Sequence, residues 1–298
     1  MKKCYFCRQR EATIIIEKAY CQTCFLEIFE NKAKRLFEKY HLANGKMAIA
    51  MSGGKDSVSL AFITKKLFPQ NEIVLLHLNL GIDNSSEEAE KFVRKQAEKI
   101  GLPLIVFNLQ KELGFTIPQA SQRYPKICGV CSTIKRYLLN KMALEEKADV
   151  LLTGHHLDDF LLRMFSTIIN GNFEQLVRMK PFLPSRGNLL SRGRPFYKTL
   201  EKAIIEYARI NDISYFTGDC PLRKRNSLAK VEKAVEALAE KPIEKYGLIA
   251  SFLKLSKALE NSYPEPELKP CEKCQFLTTS EICAFCRRTE KIKENNAH

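Results

Sequence analysis

Four short apolar runs alternate with helix-compatible segments along the first half of the chain. They cover residues 47–51, 73–78, 104–107 and 150–153. Continuous apolar runs of this length are typical of parallel strands that are buried on both faces of a sheet. The pattern therefore predicts an α/β fold with a doubly wound parallel sheet, in which ligands bind beyond the carboxyl ends of the strands.

The rest of the pattern predicts further helices and a three-part organisation. A helical pattern leads from Phe25 to a stop near Asn44, and more helices are expected at about 199–211 and 226–258. The stretch 181–195 is rich in proline, glycine and arginine, so we expect a loop there. The predicted units are an N-terminal module with its helix, a central α/β domain and a C-terminal module, at residues 1–44, 45–262 and 263–298.

Eight of the eleven cysteines form two quartets, each built from two CxxC pairs near one end of the chain. In a reducing cytoplasm, pairs separated by 13 or 8 residues are typical of tetrahedral zinc sites rather than of disulfides or iron-sulfur clusters. Four thiolates leave no open position on the ion, so we expect both sites to be structural. The predicted zinc ligands are Cys4, Cys7, Cys21 and Cys24, and Cys271, Cys274, Cys283 and Cys286.

The other three cysteines, Cys128, Cys131 and Cys220, do not fit a local zinc pattern. Three thiolates can hold a [4Fe-4S] cluster with one open iron, which could bind sulfide or a substrate atom. Two alternatives stay open at this point. One is a catalytic dithiol with a third, resolving cysteine, and the other is three buried cysteines that act as small apolar side chains.

A phosphate-binding loop is predicted at residues 51–57, between the first apolar run and a helix-compatible segment. Its sequence after Met51 is Ser-Gly-Gly-Lys-Asp-Ser, so backbone amides would lie at a helix N-terminus and face an anion. The two glycines allow close approach, the serines donate hydroxyls, Lys55 adds charge and Asp56 could hold Mg²⁺. The spacing is not that of a Walker loop and favours binding of the pyrophosphate that is released when an adenylate forms.

The net charge of +14 indicates a polyanionic partner, most simply a nucleic acid. Basic clusters occur at 223–225 and 287–288, and the arginines of 181–195 could also contact RNA. A lysine-rich surface that only maintains solubility is the alternative. No apolar run approaches the ~20 residues of a membrane span, and the N-terminal residues lack a signal-peptide core. We therefore expect a cytoplasmic protein with no membrane contact.

These motifs together resemble a known family. The segment Ala50–Ser57 resembles the PP-loop of the N-type ATP pyrophosphatase superfamily, whose domain has an adenine nucleotide alpha hydrolase-like fold. Terminal zinc quartets around such a domain, with Cys128-Gly129-Val130-Cys131 and a distant Cys220, resemble the tRNA 2-thiolation enzymes of the TtuA and Ncs6 group. The resemblance covers essentially the whole chain.

The resemblance also implies roles for individual residues. It implies catalytic roles for Asp56, Lys135 and Asp159, and Lys135 would share a helix face with Cys131. His155 and His156 receive no role, because adjacent residues at a helix start point to different sides. The implied ATP-binding residues are Ala50, Met51, Ser52, Gly53, Gly54, Lys55, Ser57, His77, Leu78, Lys135, Gly154 and Asp159.

The implied reaction is adenylation of the C2 oxygen of a tRNA uridine by ATP and Mg²⁺, followed by sulfur transfer through the cluster. The resemblance favours 5-methyl-2-thiouridine at position 54 over thiolation of the wobble uridine 34. It implies a ubiquitin-like sulfur carrier with a C-terminal thiocarboxylate as partner, and a homodimer. A PP-loop ligase that accepts an amine and a non-catalytic zinc-ribbon RNA-binding protein are the competing hypotheses.

Overall fold

A single large sheet forms the centre of the protein. The computed structural model describes residues 2–218, 220–222 and 226–296. In chain order, the strands within this part are β1 (Ile14–Ile15), β2 (Ala19–Tyr20), β3 (Met47–Ala50), β4 (Ile73–Asn79), β5 (Leu104–Asn108), β6 (Val150–Leu152), β7 (Phe182–Leu183), β8 (Ser191–Gly193), β9 (Lys269–Pro270) and β10 (Leu277–Thr278).

Helices connect the strands and cover both faces of the sheet. None of the described helices has an apolar stretch long enough to cross a lipid bilayer. The helices are α1 (Gln22–Lys39), α2 (Lys55–Leu67), α3 (Asp83–Ile100), α4 (Leu109–Leu113), α5 (Ile117–Arg123), α6 (Ile127–Glu145), α7 (Leu157–Ile169), α8 (Phe173–Val177), α9 (Glu201–Ile210), α10 (Asn226–Leu238), α11 (Pro242–Leu259) and α12 (Ala284–Asn296).

The large sheet has the strand order β5-β4-β3-β6-β8-β7 and is parallel except for the β7–β8 pair. Strand β3 is central, with Ile49 opposite Leu75 on one side and Leu152 on the other. Burial on both faces explains why β3 is an unbroken apolar run. The chain leaves β3 towards β5 and later returns to the other side of β3, so the order reverses between β3 and β6. The doubly wound parallel sheet predicted from the sequence is confirmed.

Two predictions about the second half of the chain were wrong. The stretch 181–195 is not only a loop, because β8 pairs parallel with β6 and β7 pairs antiparallel with β8, which extends the sheet by two strands. The helix predicted over 226–258 is divided into α10 and α11. Pro242 occupies the first position of α11, where its missing N–H costs nothing, and it therefore starts a new helix.

The terminal modules pack against the central domain through helices. Phe29 of α1 stacks on Tyr207 of α9 with ring centroids 4.2 Å apart, in the same core as β3. The core thus continues across residue 44, where the sequence predicted a boundary. At the other end of the chain, Ile292 of α12 is buried with Val130 and Ile134 of α6.

Candidate functional site

The phosphate loop is organised by the hydroxyl group of Ser57. This oxygen accepts hydrogen bonds from the amides of Ser52 and Gly53, both at 3.2 Å, and donates to the carbonyl of Gly54 at 2.9 Å. Gly53 has φ of +93°, a left-handed conformation that favours glycine. The loop is therefore held in shape by its own side chain.

Helix α2 begins immediately after the loop and presents its first amides to the space above the sheet. Gly54 is the N-cap, and within the described residues the amides of Lys55 and Asp56 have no hydrogen-bond acceptor. Free amides at a helix N-terminus, with the positive end of the helix dipole, favour an anion such as phosphate. The Lys55 ammonium is directed elsewhere, since it pairs with Glu201 at 2.6 Å and with Asp56 at 3.2 Å.

The loop after β6 lies directly against the phosphate loop at Gly154. A Cβ atom at this position would lie 2.9 Å from both the carbonyl carbon and the carbonyl oxygen of Asp56. Only glycine allows this separation without a shift of one backbone. The carboxyl ends of β3 and β6 therefore meet where the strand order reverses, which is the usual ligand site of such sheets.

His156 brings together the acidic residues of the site, although it was left without a role in the sequence-based prediction. It is the N-cap of α7, is only 5% exposed, and its Nε2 lies 3.4 Å from Asp159 and 3.9 Å from Asp56. Burial lowers the pKa of His156, but the Asp158 carboxylate, 3.6 Å from its Nδ1, and the charges of Asp159 and Asp56 outweigh it and raise the pKa above its usual value. The Asp56 Oδ1 atom is buried without a hydrogen-bond partner among the described residues.

Asp158 connects three helices next to this cluster. Its carboxylate accepts hydrogen bonds from the Glu201 amide at 2.8 Å and from the Lys245 ammonium at 2.5 Å. Burial raises the pKa of Asp158, but the nearby His156 ring and these two hydrogen bonds outweigh it and hold the pKa well below its usual range. The start of α7 is thereby fixed against α9 and α11.

A narrow cavity of about 310 Å³ lies on the β4 side of the phosphate loop. Its walls include Met51, Leu78 and the buried ring of His77, whose Nδ1 lies 2.8 Å from the Met51 carbonyl and whose Nε2 has no partner among the described residues. Burial lowers the pKa of His77, which favours the neutral ring. Phe216, which the sequence did not single out, also lines this cavity and donates its amide to the Gly53 carbonyl at 2.9 Å.

A second and larger cavity of about 830 Å³ lies on the other side of the loop. Asp56, Gly154 and Asp159 line it together with several arginines. Ser52 and Lys135 line both cavities. Most residues predicted for the nucleotide site thus line one of these two adjoining cavities, whereas Gly53 and Lys55 line neither.

The central cysteines lie at the edge of the crevice that these two cavities form. Cys128 and Cys131 are in the first two turns of α6, two turns and one turn before Lys135, and Cys220 lines the narrow cavity. Burial and the other two central thiols raise the pKa of Cys131 above its usual value, while the charge of Lys135 acts in the opposite direction. Among the described cysteines, these three do not converge within 4.8 Å as the quartets do. A four-iron cluster requires the wider spacing, since each thiolate binds a different iron.

Helix α12 holds the turn between Cys128 and Cys131. Arg288 donates to the Gly129 carbonyl at 2.8 Å and also to the hydroxyl of Thr133. The C-terminal module thereby contacts the backbone of the central cysteine pair. The other predicted basic cluster, at 223–225, lies outside the described residues.

Both quartets bring their four thiols together, within 4.8 Å of one another. Tetrahedral bonds of about 2.3 Å to one zinc ion place thiolates roughly 3.8 Å apart. The Cys7–Cys21 and Cys274–Cys283 sulfur separations are 4.0 and 3.7 Å. The quartets are therefore preformed for a single small metal ion.

Comparisons with known proteins agree with this geometry. The sequence profile of the PP-loop domain family matches residues 25–228. A tRNA-5-methyluridine(54) 2-sulfurtransferase from Pyrococcus horikoshii is 35% identical, over 99% of this chain and 96% of the relative. An enzyme of the same name from Thermus thermophilus is 31% identical, over 92% of this chain and 86% of the relative.

A solved structure shares the fold. The U34-tRNA thiolase NcsA from Methanococcus maripaludis, solved with its [4Fe-4S] cluster, superposes with a TM-score of 0.82. It is 23% identical, and the match covers 98% of this chain and 96% of that one. The chain belongs to the tRNA 2-thiolation enzymes of the PP-loop family. The resemblance inferred from the motifs is confirmed.

Proposed function

We propose that the protein is an ATP-dependent tRNA 2-thiolation enzyme that adenylates the C2 oxygen of a uridine and then replaces this oxygen with sulfur. The observation that carries the proposal is the position of Lys135, which lines both cavities and follows Cys131 by one helical turn. A nucleotide loop, a basic cavity and a set of thiols therefore adjoin one cationic side chain. The names of the relatives from P. horikoshii and T. thermophilus support the same reaction.

The narrow cavity would hold the adenine of ATP. Leu78 and Met51 supply apolar walls, and the unprotonated Nε2 of His77 can accept a hydrogen bond from the adenine amino group. The triphosphate would follow along Ser52 to the free amides at the start of α2. The buried, unpartnered Asp56 Oδ1 suits a hard cation, so Asp56 would hold Mg²⁺, which would neutralise the leaving pyrophosphate.

In the first step, the uridine O2 forms a bond to the α-phosphorus of ATP while the bond to the β-phosphate oxygen breaks and pyrophosphate leaves. The uridine loses its N3 proton as O2 becomes bonded to phosphorus, and Asp159 would accept this proton. The raised pKa of the adjacent His156 keeps positive charge beside Asp159. Lys135 would stabilise the negative charge that develops on the phosphate oxygens.

The three central cysteines would hold a [4Fe-4S] cluster. Its chemistry when bound would be to supply the sulfur atom that replaces the adenylated oxygen, with AMP as the leaving group. Lys135, one turn from Cys131, would hold the AMP phosphate while the bond to C2 breaks. A ubiquitin-like carrier with a C-terminal thiocarboxylate would be the sulfur donor.

Each cysteine quartet would hold one structural Zn²⁺. The sulfur separations fit one tetrahedral ion, and the amide of Cys283 already donates to the Cys271 sulfur at 3.2 Å. We further propose a cytoplasmic location and a homodimer, on the basis of the family. The position of the modified base is proposed to be 54, in line with the relatives' names.

Pyrophosphate release and nucleoside analysis test the proposal together. Anaerobically reconstituted protein with ATP, Mg²⁺, sulfide and unmodified tRNA should release pyrophosphate and form 2-thiouridine or its 5-methyl derivative. Lys135→Ala and Asp159→Asn should reduce both products by at least 100-fold. Lys141→Ala is the matched control and should retain activity, because Lys141 is on the same helix, its side chain is 44% exposed and it lines neither cavity.

Different products would support the competing hypotheses. Pyrophosphate release with incorporation of an amine would indicate a PP-loop ligase, and tRNA binding without pyrophosphate release would indicate an RNA-binding protein. Mass spectrometry of tRNA from a deletion strain separates the two thiolation sites. Loss of 5-methyl-2-thiouridine supports position 54, and loss of a wobble thiouridine supports position 34.

A further inference from the structure

The larger cavity is lined by five arginines from four different segments of the chain. Arg136 is on α6, Arg163 on α7 and Arg178 at the end of α8, while Arg192 is on β8 and Arg194 follows that strand. No run of basic residues in the sequence contains this set. The fold alone assembles it around one space of about 830 Å³.

Most of this positive charge is unbalanced by the described parts of the protein. Among the described residues, Arg178 alone of the five has a carboxylate within 4.0 Å, that of Glu174. Arg136 donates to the Ser132 hydroxyl at 2.7 Å, and Arg192 donates to the Arg136 carbonyl at 3.2 Å. Neutral partners fix the direction of these guanidinium groups without neutralising them. Such an array is suited to an anionic ligand.

The guanidinium groups also act on one another. Burial and the charges of Arg192 and Arg163 lower the pKa of Arg194 to about 10. Mutual repulsion of this kind is relieved when phosphate groups enter between the cations. The binding of an anion would therefore be favoured by the loss of repulsion as well as by direct pairing.

The larger cavity adjoins the site assigned to the triphosphate, because Ser52 and Asp56 line it, and it extends from there to the arginines of α8 and β8. The adenine side of the crevice lies beyond Ser52 and Lys135, and the free helix amides adjoin the phosphate loop itself. The larger, arginine-lined cavity has more than twice the volume of the cavity assigned to adenine. It therefore has room for a second nucleotide with its flanking phosphates.

We propose that the arginine cavity binds the phosphodiester backbone on both sides of the target uridine, so that RNA enters the crevice from the β8 side and meets ATP at Lys135. This rests on the proposed function, because it assigns the second ligand of the same crevice. Arginine contacts to phosphates position an RNA backbone and do not read a base sequence.

The test compares arginines inside and outside the cavity. Arg163 and Arg178 are exposed on its wall, so Arg163→Gln and Arg178→Gln should not disturb folding. Arg94→Gln is the matched control, since Arg94 is exposed on α3 and pairs with Glu90 at 2.7 Å outside the cavity. Dissociation constants for unmodified tRNA are measured at several salt concentrations, and those for ATP at one.

We expect each cavity variant to weaken tRNA binding by about 5- to 10-fold at low salt and to reduce the slope of log K against log salt by roughly 0.7–0.9 per charge removed. ATP affinity should stay within twofold of wild type, and Arg163→Lys should retain most of the salt dependence. Loss of ATP affinity with unchanged tRNA binding would overturn the proposal in favour of a triphosphate site. Equal effects of Arg94→Gln would overturn it in favour of nonspecific attraction.

The same measurements separate this inference from the proposed function. Binding of tRNA is read without turnover, so arginine-dependent binding by a protein that forms no thiouridine would refute the thiolation reaction only. Thiolation that proceeds with wild-type KM for tRNA in a variant that combines Arg163→Gln and Arg178→Gln would refute the arginine cavity only.

Discussion

Substituting Gly154 with alanine tests whether the contact between two loops sets the position of the phosphate loop. The added Cβ would lie 2.9 Å from the backbone of Asp56, whereas carbon contacts are favourable from about 3.5 Å. One backbone must therefore move by about half an ångström. Overpacking of this kind costs about 1–3 kcal/mol.

Both stability and nucleotide binding should respond. A loss of 1 kcal/mol lowers Tm by roughly 2–4 °C in domains of about 200 residues. A displacement of 1 Å in a site can cost on the order of 100-fold in rate, so half that displacement should reduce kcat/KM for ATP on the order of tenfold. Differential scanning fluorimetry and pyrophosphate release at varied ATP concentration measure the two effects.

Gly247→Ala is the matched control for this substitution. Gly247 lies inside α11, and a Cβ atom there would meet no heavy atom within 4 Å. Alanine in a helix is more stable than glycine by about 0.5–1 kcal/mol, so this variant should be slightly more stable than wild type with unchanged kcat/KM. If Gly154→Ala matched Gly247→Ala in both measurements, the contact with Asp56 would have no influence on the loop.

Three further predictions concern the loop, the network at α7 and the metal sites. Ser57→Ala should lower Tm by roughly 2–4 °C and weaken ATP binding on the order of tenfold by titration, because two loop amides lose their acceptor. Ser59→Ala, which removes a buried hydroxyl without a partner among the described residues, should be neutral or stabilising. Because the pKa of Asp158 is lowered in the folded protein, its carboxylate stabilises the fold above about pH 4, and this stabilisation is lost as the pH falls through the folded-state pKa. The difference in Tm between wild type and Asp158→Asn should therefore become smaller in acid. Cys274→Ser should remove one zinc per chain by elemental analysis and lower Tm, whereas Cys128→Ser should leave zinc content and Tm unchanged and abolish thiolation.

The central strands could be predicted because their environment is uniform. Met47, Ala48 and Ile49 are fully buried on both faces of β3, which requires an unbroken apolar run that periodicity can detect. The pattern of apolar residues did not predict strands β7 and β8. They are two and three residues long, and β8 consists of Ser191, Arg192 and Gly193, so backbone pairing at the sheet edge defines them rather than side-chain burial.

The candidate site could be predicted only where a local motif carries the chemistry. The phosphate loop and the cysteine pairs have short spacings that their ligands impose. His156 and Phe216 have no such spacing, because their positions depend on Asp56 and Gly53, which are far away in the sequence. An acidic residue three positions after His156 was the available signal, since this is the spacing of a helix capping box.

The hydrogen bond from Arg288 to Gly129 has a consequence for biosynthesis. Its two residues are 159 positions apart in the chain. At about 5–20 residues per second, a ribosome needs roughly ten to thirty seconds to make the arginine after the cysteine turn has been made. Throughout this interval, Cys128 and Cys131 lack the clamp that fixes their backbone, so their cofactor would be inserted into its final geometry only after α12 has been synthesised and has folded onto α6.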